Sequence, residues 1–304
     1  MLREGTAPAI SGLSRQNNVR RGVSIVIPAH NEEHGIDNGI DGVKKALGSS
    51  GWDYEIIVVD DGSNDATGER AEQHGVKVLR FETNRGYGSA LKAGIASAKF
   101  DWVVIIDADG TYPGAEIPRM LERVPTHDMV VGARIGRNVE DPRIRRPAKW
   151  ILRKLGGYLA GQEIPDLNSG MRVIRKSLVD QFAHILPSGF SFTTTITLAL
   201  ISSGYSVSYV PIDYYRRVGK SKISPSHAVT FAFQMLRTMM LFRPMRILGP
   251  IASIILLCGL GNLAYDLHPL RVSGTDVMIL MQGILIWCIA MVADQNSRFH
   301  QPKR

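Results

Sequence analysis

The stretch WVVIIDADGTYP, residues 102–113, sets a short apolar run against an abrupt acidic turn. The run 102–106 carries no charge and no proline and reads as a buried strand, which Asp107-Ala108-Asp109-Gly110 then ends. An uninterrupted apolar strand, rather than an alternating one, is what a parallel sheet covered on both faces requires. Outward from it the same grammar recurs. Short runs at 23–27, 55–59, 76–79 and 129–131 read as further strands, and the segments around 33–48, 65–74, 87–98 and 114–123 have helical spacing. Strand and helix in alternation predict an α/β fold with a doubly wound, Rossmann-like parallel sheet. Ligands bind such sheets beyond the carboxyl ends of the strands. Pro28 to Glu33, Asp60 to Ser63 and Asp107 to Thr111 all fall there, so the three polar clusters are expected to line one crevice.

The chain has 304 residues, 44% hydrophobic and 21% charged, which excludes both a disordered polymer and a uniformly apolar transporter. Its charge is unevenly spread. Between 247 and 293 the only Asp, Glu, Lys or Arg residues are Asp266, Arg271 and Asp276. Segments 247–265 and 277–293 approach the roughly 20 residues that cross hydrocarbon as a helix. The connector, with Asp266, His268, Pro269, Arg271 and Gly274, reads as a polar turn, making the pair a transmembrane hairpin. Arg237, Arg243 and Arg246 precede it and Arg298, Lys303 and Arg304 follow it. The positive-inside rule therefore predicts a multi-pass protein of the cell membrane, with the soluble domain and both termini cytoplasmic. Core helices of a second soluble domain are the alternative.

Residues 228–242 are apolar enough to lie flat on a bilayer. Segment 137–154 is basic, with Arg137, Arg143, Arg145, Arg146, Lys149, Arg153 and Lys154 interleaved with Ile144, Trp150, Ile151 and Leu152. That mixture suits a membrane surface better than nucleic acid, the alternative being a solvated loop broken by Pro142 and Pro147. The expected plan is a mobile tail at 1–22 without a secretory h-region, an α/β domain at 23–227, an interfacial helix at 228–246, the hairpin at 247–293 and a cytoplasmic tail at 294–304. Cys258 and Cys288 both lie in the apolar stretches, which excludes a disulfide framework and a four-cysteine zinc site. The net charge of +8 suits an anionic partner.

Two carboxylates one residue apart at a strand end, Asp107 and Asp109, can reach one divalent cation, Mg²⁺ or Mn²⁺, and so neutralise a diphosphate. Asp and Gly also dominate ordinary turns, so the motif gains weight only from its company. Asp60 and Asp61 carry more negative charge than the N-cap that Ser63 or Asp65 would supply, and a carboxylate there can accept from base or ribose donors. Pro28 closes its strand and aims Glu32 into the crevice. Gly86 and Gly88 precede a helix, where backbone can approach a ligand and helix amides favour anions. Their spacing lacks the dinucleotide fingerprint, which counts against a nicotinamide enzyme.

Taken in order, Pro28-Ala-His30-Asn31-Glu32-Glu33, Asp60-Asp61-Gly-Ser, Asn84-Arg-Gly-Tyr-Gly-Ser-Ala, Asp107-Ala-Asp109-Gly, Gly132-Ala-Arg134, Asp166-Leu-Asn-Ser169-Gly170-Met-Arg172 and Arg216-Arg-Val-Gly-Lys-Ser221-Lys222 resemble family 2 glycosyltransferases of the GT-A fold. The later motifs are similar to the polyprenyl-phosphate hexosyltransferase branch that includes dolichyl-phosphate mannose synthase. The resemblance implies that Pro28, His30, Glu32, Asp60 and Asp61 hold the nucleotide sugar and that Asp107 and Asp109 hold the metal. Thr111 stands where those synthases commonly carry a metal-binding Gln. Arg134, Ser169, Arg172, Arg216, Ser221 and Lys222 match positions around the acceptor phosphate, with Asp109, Arg134, Asp166, Arg216 and Lys222 as the catalytic set. Asp166 is read either as a base or as the group that positions Arg172 or Arg216.

The chemistry leans the same way, because a lipid phosphate is already an oxyanion and needs little general-base help. Cations matter more for such an acceptor: Arg134, Arg216 and Lys222 would orient it. The expected reaction is an inverting transfer of a hexose from a nucleotide diphosphate sugar, of GDP-mannose or UDP-glucose type, to a polyprenyl phosphate in cell-envelope glycan or glycolipid synthesis. The alternatives are a family 2 enzyme acting on a sugar hydroxyl of a lipid-linked glycan and a decayed nucleotide-binding membrane scaffold. Nucleic acid is not an expected partner, and a homo-oligomer is left open.

Overall fold

The computed structural model describes residues 21–136, 138, 146–215, 227–266 and 273–300. Strand β1 (Gly22–Ala29) runs through the centre, buried beyond its first residue, between parallel β2 (Asp53–Asp60) and β4 (Trp102–Ile105). Strand β3 (Lys77–Arg80) forms the edge beside β2, and β5 (Met129–Ala133) completes the strands expected from the sequence. Helices α1 (Ile36–Leu47), α2 (Thr67–Gln73), α3 (Tyr87–Ala96) and α4 (Ile117–Leu121) fill the expected intervals, with a 3-10 turn at Gly114–Glu116 ahead of α4. The chain continues through α5 (Arg146–Ala160), β6 (Arg172–Arg175), α6 (Lys176–Phe182), α7 (Phe192–Ser202) and β7 (Val207–Pro211).

The sheet order is β3-β2-β1-β4-β6-β5-β7. Strand β6 runs antiparallel to both neighbours, so the sheet is mixed and the all-parallel expectation is corrected at this strand. The reason is topological. Strand β5 ends at Ala133, and there the Arg134 amide donates to Asp166 Oδ2 at 3.1 Å, so the excursion from 134 to 166 closes at the carboxyl end of that strand. It must re-enter from that end. Residues 166–171 are thereby delivered beside the end of β4.

Alternation along the strands feeds two cores. Val23, Ile25 and Ile27 share one with Ile36, Ile40, Val43 and Leu47 of α1 and with Ile117, Met120 and Leu121 of α4, spacings that place one apolar stripe on each helix. Val26, Val103 and Ile105 meet Leu91 and Ile95 of α3, Phe182 of α6 and Phe192 and Ile196 of α7 on the other face. Helix α7 is buried along its whole length, including Thr193, Thr194, Thr195 and Thr197.

Helix α8 (His227–Phe242) packs Met235 and Met239 inward and leaves Phe233, Met240 and Leu241 exposed, while α5 exposes Trp150, Ile151 and Tyr158. Helices α9 (Met245–Asp266) and α10 (Gly274–His300) have mean hydropathy of 2.0 and 2.1 over their most apolar windows, and only 17% of each window is buried. Core helices of a soluble domain would be mostly covered, so that alternative does not fit. The pair is joined by Trp287 Nε1 on Ser253 Oγ at 3.4 Å and by Asn262 Nδ2 on Asp276 Oδ1 at 2.5 Å. Cys258 and Cys288 are free and face outward. Helix α10 continues beyond residue 293, where a tail was expected, and Ser297 donates to the Phe242 carbonyl at 3.3 Å.

Arg243 and Arg246 serve the soluble domain directly. Arg243 Nη1 donates to the Ala160 carbonyl at 2.7 Å, and Arg246 Nη1 donates to the carbonyls of Tyr158 and Leu159. These are last-turn carbonyls of α5, which have no partner within their own helix. The tail 1–20, Arg137, Arg143, Arg145, His268, Pro269, Arg271, Lys303 and Arg304 lie outside the described residues.

Candidate active site

The first two polar clusters are stitched together by short-range chemistry at the ends of β1 and β2. Pro28 lies inside β1 and is buried, whereas His30 and Glu32 beyond it are half-buried. Asn31 takes the left-handed backbone (φ 53°), accepts from the Asn64 amide with Oδ1 at 2.8 Å and donates its own amide to Ser63 Oγ at 3.0 Å. Asn tolerates that conformation better than most side chains. The Glu32 amide meets Thr67 Oγ1 at 2.8 Å, and the Glu33 amide meets Asp65 Oδ2 at 3.3 Å.

Asp60 Oδ1 accepts from the Ser63 amide at 3.0 Å and shapes its own turn. Asp61 reaches further, accepting from the amides of Arg85 at 2.7 Å and Gly86 at 2.9 Å. It therefore anchors the loop that begins α3. The expected approach of a ligand to the glycines of that loop is corrected by the structure. Ser188 O accepts from the amides of Gly88 at 2.7 Å and Ser89 at 3.2 Å, and a Cβ at Gly88 would stand 2.2 Å from Pro187 O. The glycines admit a neighbouring segment of the chain, and its carbonyl occupies the first amides of α3.

Asp107 and Asp109 follow β4. Tyr87 donates to Asp107 Oδ1 at 2.8 Å, and a Cβ at Gly170 would stand 2.4 Å from Asp107 Oδ2, so the carboxylate lies against bare backbone. Gly170→Ala is expected to displace Asp107 and lower turnover by about 10²-fold, since small misplacements at a reacting centre carry losses of that size. A wild-type rate in the purified variant would refute this. Asp109 Oδ1 accepts from the amide of Thr111 at 3.1 Å and from its hydroxyl at 2.6 Å. The Thr111 hydroxyl, fully buried, is thus spent on Asp109.

No cluster of three or more His, Cys, Asp or Glu suited to a metal occurs among the described residues. Two carboxylates alone fit a hard cation whose remaining ligands are diphosphate oxygens and water, the usual Mg²⁺ pattern. Asp107 and Asp109 would hold it, and its chemistry would be neutralisation of the leaving diphosphate.

Beside them lies a paired cation. Arg134 donates from Nε to Asp166 Oδ2 at 2.7 Å and from Nη2 to Oδ1 at 2.8 Å, with side-chain exposures of 16% and 11%. Its guanidinium also stands over the Tyr214 ring at 5.2 Å. Asp166 accepts the amides of Arg134 and Asn168 as well. Burial alone raises the Asp166 pKa, but the charge and hydrogen bonds of Arg134, together with those amides, hold it below the usual carboxylate range. Asp166 is therefore paired with Arg134, while the Arg172 guanidinium donates elsewhere.

Two sequence expectations change here. Arg172, expected at the acceptor phosphate, is fully buried: its guanidinium donates to Thr193 O at 3.0 Å, Thr197 Oγ1 at 3.1 Å and Ser169 O. Ser169, also fully buried, donates to Gly132 O at 2.5 Å. A sealed guanidinium cannot meet a lipid phosphate, so both side chains brace the 166–171 loop from behind. Tyr112, whose hydroxyl accepts from the Gly170 amide at 2.7 Å, and Thr194, which donates to Asn168 Oδ1, complete that brace. Neither they nor Tyr87 stood out in the sequence, where an aromatic after a motif and a Thr-rich apolar helix carry no local signal. Arg216, Ser221 and Lys222 lie outside the described residues.

Residues 24–182 match the family described as glycosyl transferase family 2. The chain belongs to glycosyl transferase family 2. Its family 2 domain is followed at residues 243–299 by a match to the GtrB C-terminal hairpin. Among curated relatives, the dolichyl-phosphate hexose transferase of Haloferax volcanii is 31% identical over 205 residues, covering 67% of this chain and 87% of the relative. An undecaprenyl-phosphate 4-deoxy-4-formamido-L-arabinose transferase from Enterobacter sp. (strain 638) is 29% identical over 244 residues, 78% of this chain and 73% of that one. The fold is shared with glucosyl-3-phosphoglycerate synthase from Mycobacterium tuberculosis, solved with Mn²⁺, uridine diphosphate and phosphoglyceric acid, at a TM-score of 0.59 and 22% identity over 72% of this chain and 78% of that one.

Proposed function

We propose that this family 2 glycosyltransferase moves a hexose, with inversion, from a nucleotide diphosphate sugar to a polyprenyl phosphate at the cytoplasmic face of the cell membrane. The observation that carries the reading is the Arg134–Asp166 pair: the carboxylate that would deprotonate a sugar hydroxyl is bound by a bidentate guanidinium and two amides. Such a site suits an acceptor that arrives ionised. A phosphate monoester has a second pKa of about 6 and carries its nucleophilic oxygen already charged. Asp166 engages Nε and Nη2, so Arg134 Nη1 lies outside the pair, available to the acceptor.

The apolar hairpin and the exposed Trp150, Ile151, Phe233 and Leu241 support the lipid half of the reading. Each buried CH₂ of a polyprenyl tail is worth about 0.8 kcal/mol, so the tail stays in the bilayer and the enzyme comes to it. Asp107 and Asp109, with a divalent cation, serve the donor, while His30, Glu32 and Asp61 line its nucleoside end.

The test incubates the membrane-embedded protein with Mg²⁺ or Mn²⁺, polyprenyl phosphate and a panel of labelled nucleotide sugars. Labelled, mild-acid-labile lipid from one donor is expected. Transfer only to a lipid-linked glycan, with none to polyprenyl phosphate, would overturn the reading.

A further inference from the structure

Tyr87 sits between the two nucleotide-side carboxylates and is fixed from every direction. Its hydroxyl donates to Asp107 Oδ1 at 2.8 Å, and its ring stacks on Phe190 with centroids 5.5 Å apart and planes 24° from parallel. The backbone is held on both sides. Arg85 and Gly86 before it donate to Asp61, Gly88 and Ser89 after it donate to Ser188 O, and Lys92 one turn on reaches Leu186 O. A single loop therefore carries fixings of both Asp61 and Asp107, and the 186–190 segment clamps that loop from outside.

A carboxylate on a strand-end turn can swing about its terminal torsion, which is broad and two-fold. Asp107 lies with its carboxylate against Gly170, which limits its displacement. The Tyr87 hydroxyl is a donor that holds one of its oxygens, Oδ1. Partners of this kind orient metal ligands, and their loss typically weakens metal binding by about 10–100-fold.

We propose that Tyr87, locked by Phe190 and the Ser188 carbonyl, is the positioning residue that presents Asp107 to the divalent cation of the donor diphosphate. The proposal rests on Asp107 and Asp109 being the cation site. Tyr87→Phe keeps the ring and its stack and removes only the hydroxyl. Phe190→Leu keeps the hydroxyl and loosens the stack.

The experiment titrates Mn²⁺ into full-length protein in lipid nanodiscs, with UDP or GDP present, and reads free Mn²⁺ by electron paramagnetic resonance for the unaltered chain, Tyr87→Phe, Phe190→Leu and Asp107→Ala. The expected result is a Mn²⁺ dissociation constant about tenfold higher for Tyr87→Phe and about threefold higher for Phe190→Leu, with an unchanged KM for polyprenyl phosphate. If Asp107→Ala loses Mn²⁺ while Tyr87→Phe binds it as the unaltered chain does, the positioning role is wrong and the cation site stands. If Asp107→Ala also binds normally, or the unaltered chain binds no Mn²⁺ with either nucleotide, the cation site itself is wrong and the proposal falls with it.

Discussion

Arg134→Ala is expected to lower kcat/KM for a polyprenyl phosphate acceptor by about 10²–10³-fold, and Asp166→Asn by only about tenfold. Truncating one partner of a hydrogen-bonded charge pair typically costs 2–5 kcal/mol, and each 1.36 kcal/mol is a factor of ten. Alanine at 134 removes the guanidinium that would meet the acceptor and strands the Asp166 carboxylate, only 11% exposed, without its cation. Asparagine at 166 keeps an oxygen for the Arg134 fork and leaves a cation that an anionic acceptor can itself neutralise. A general base at 166 inverts the order, with Asp166→Asn abolishing turnover and Arg134→Ala sparing it. Steady-state kinetics on both variants therefore separates a phosphate acceptor from a hydroxyl acceptor. Thermal unfolding of both variants guards against misfolding, because breaking a buried pair also destabilises by about 3–5 kcal/mol.

The second large effect belongs to the double variant Asp107→Ala, Asp109→Ala, expected to lower sugar transfer by about 10³–10⁴-fold. A cation that neutralises a leaving diphosphate supplies several kcal/mol of transition-state stabilisation, which converts to a loss of that order. Neither alanine is expected to unfold the domain, since both side chains stand beyond the end of β4 rather than in the strand core. Added Mn²⁺ is not expected to rescue the variant, whereas it should rescue the unaltered protein stripped with a chelator. Transfer at the ordinary rate in the double variant would remove the basis of the functional reading.

The sequence was informative where the chemistry is local. A strand followed by Asp107-Ala-Asp109-Gly, or by Asp60-Asp61-Gly-Ser, announces its own turn, and those clusters do meet at adjoining strand ends. Strand β6 escaped because four residues, Arg172-Val-Ile-Arg175, bounded by arginines look like surface. Its direction depends on a long excursion that no local pattern encodes. The same bias toward solvent made Arg172 look like a phosphate ligand, when a helix face of threonines distant in sequence had made a dry polar socket for it. Tyr87 was hidden for a related reason: its partners, Asp107 and Phe190, lie 20 and more than 100 positions away. Long-range pairings fix the orientation of a motif, and the motif alone records only its composition.

The arginine contacts of the hairpin bear on how the protein can be handled. Because Arg243 and Arg246 terminate α5, excising the anchor at residue 242 to obtain a water-soluble enzyme would strip two guanidinium caps from a helix of the part retained. A shortened version ending after Arg246 keeps them. The boundary between anchor and domain therefore falls no earlier than Arg246, because side chains just ahead of the apolar span complete a helix of the domain.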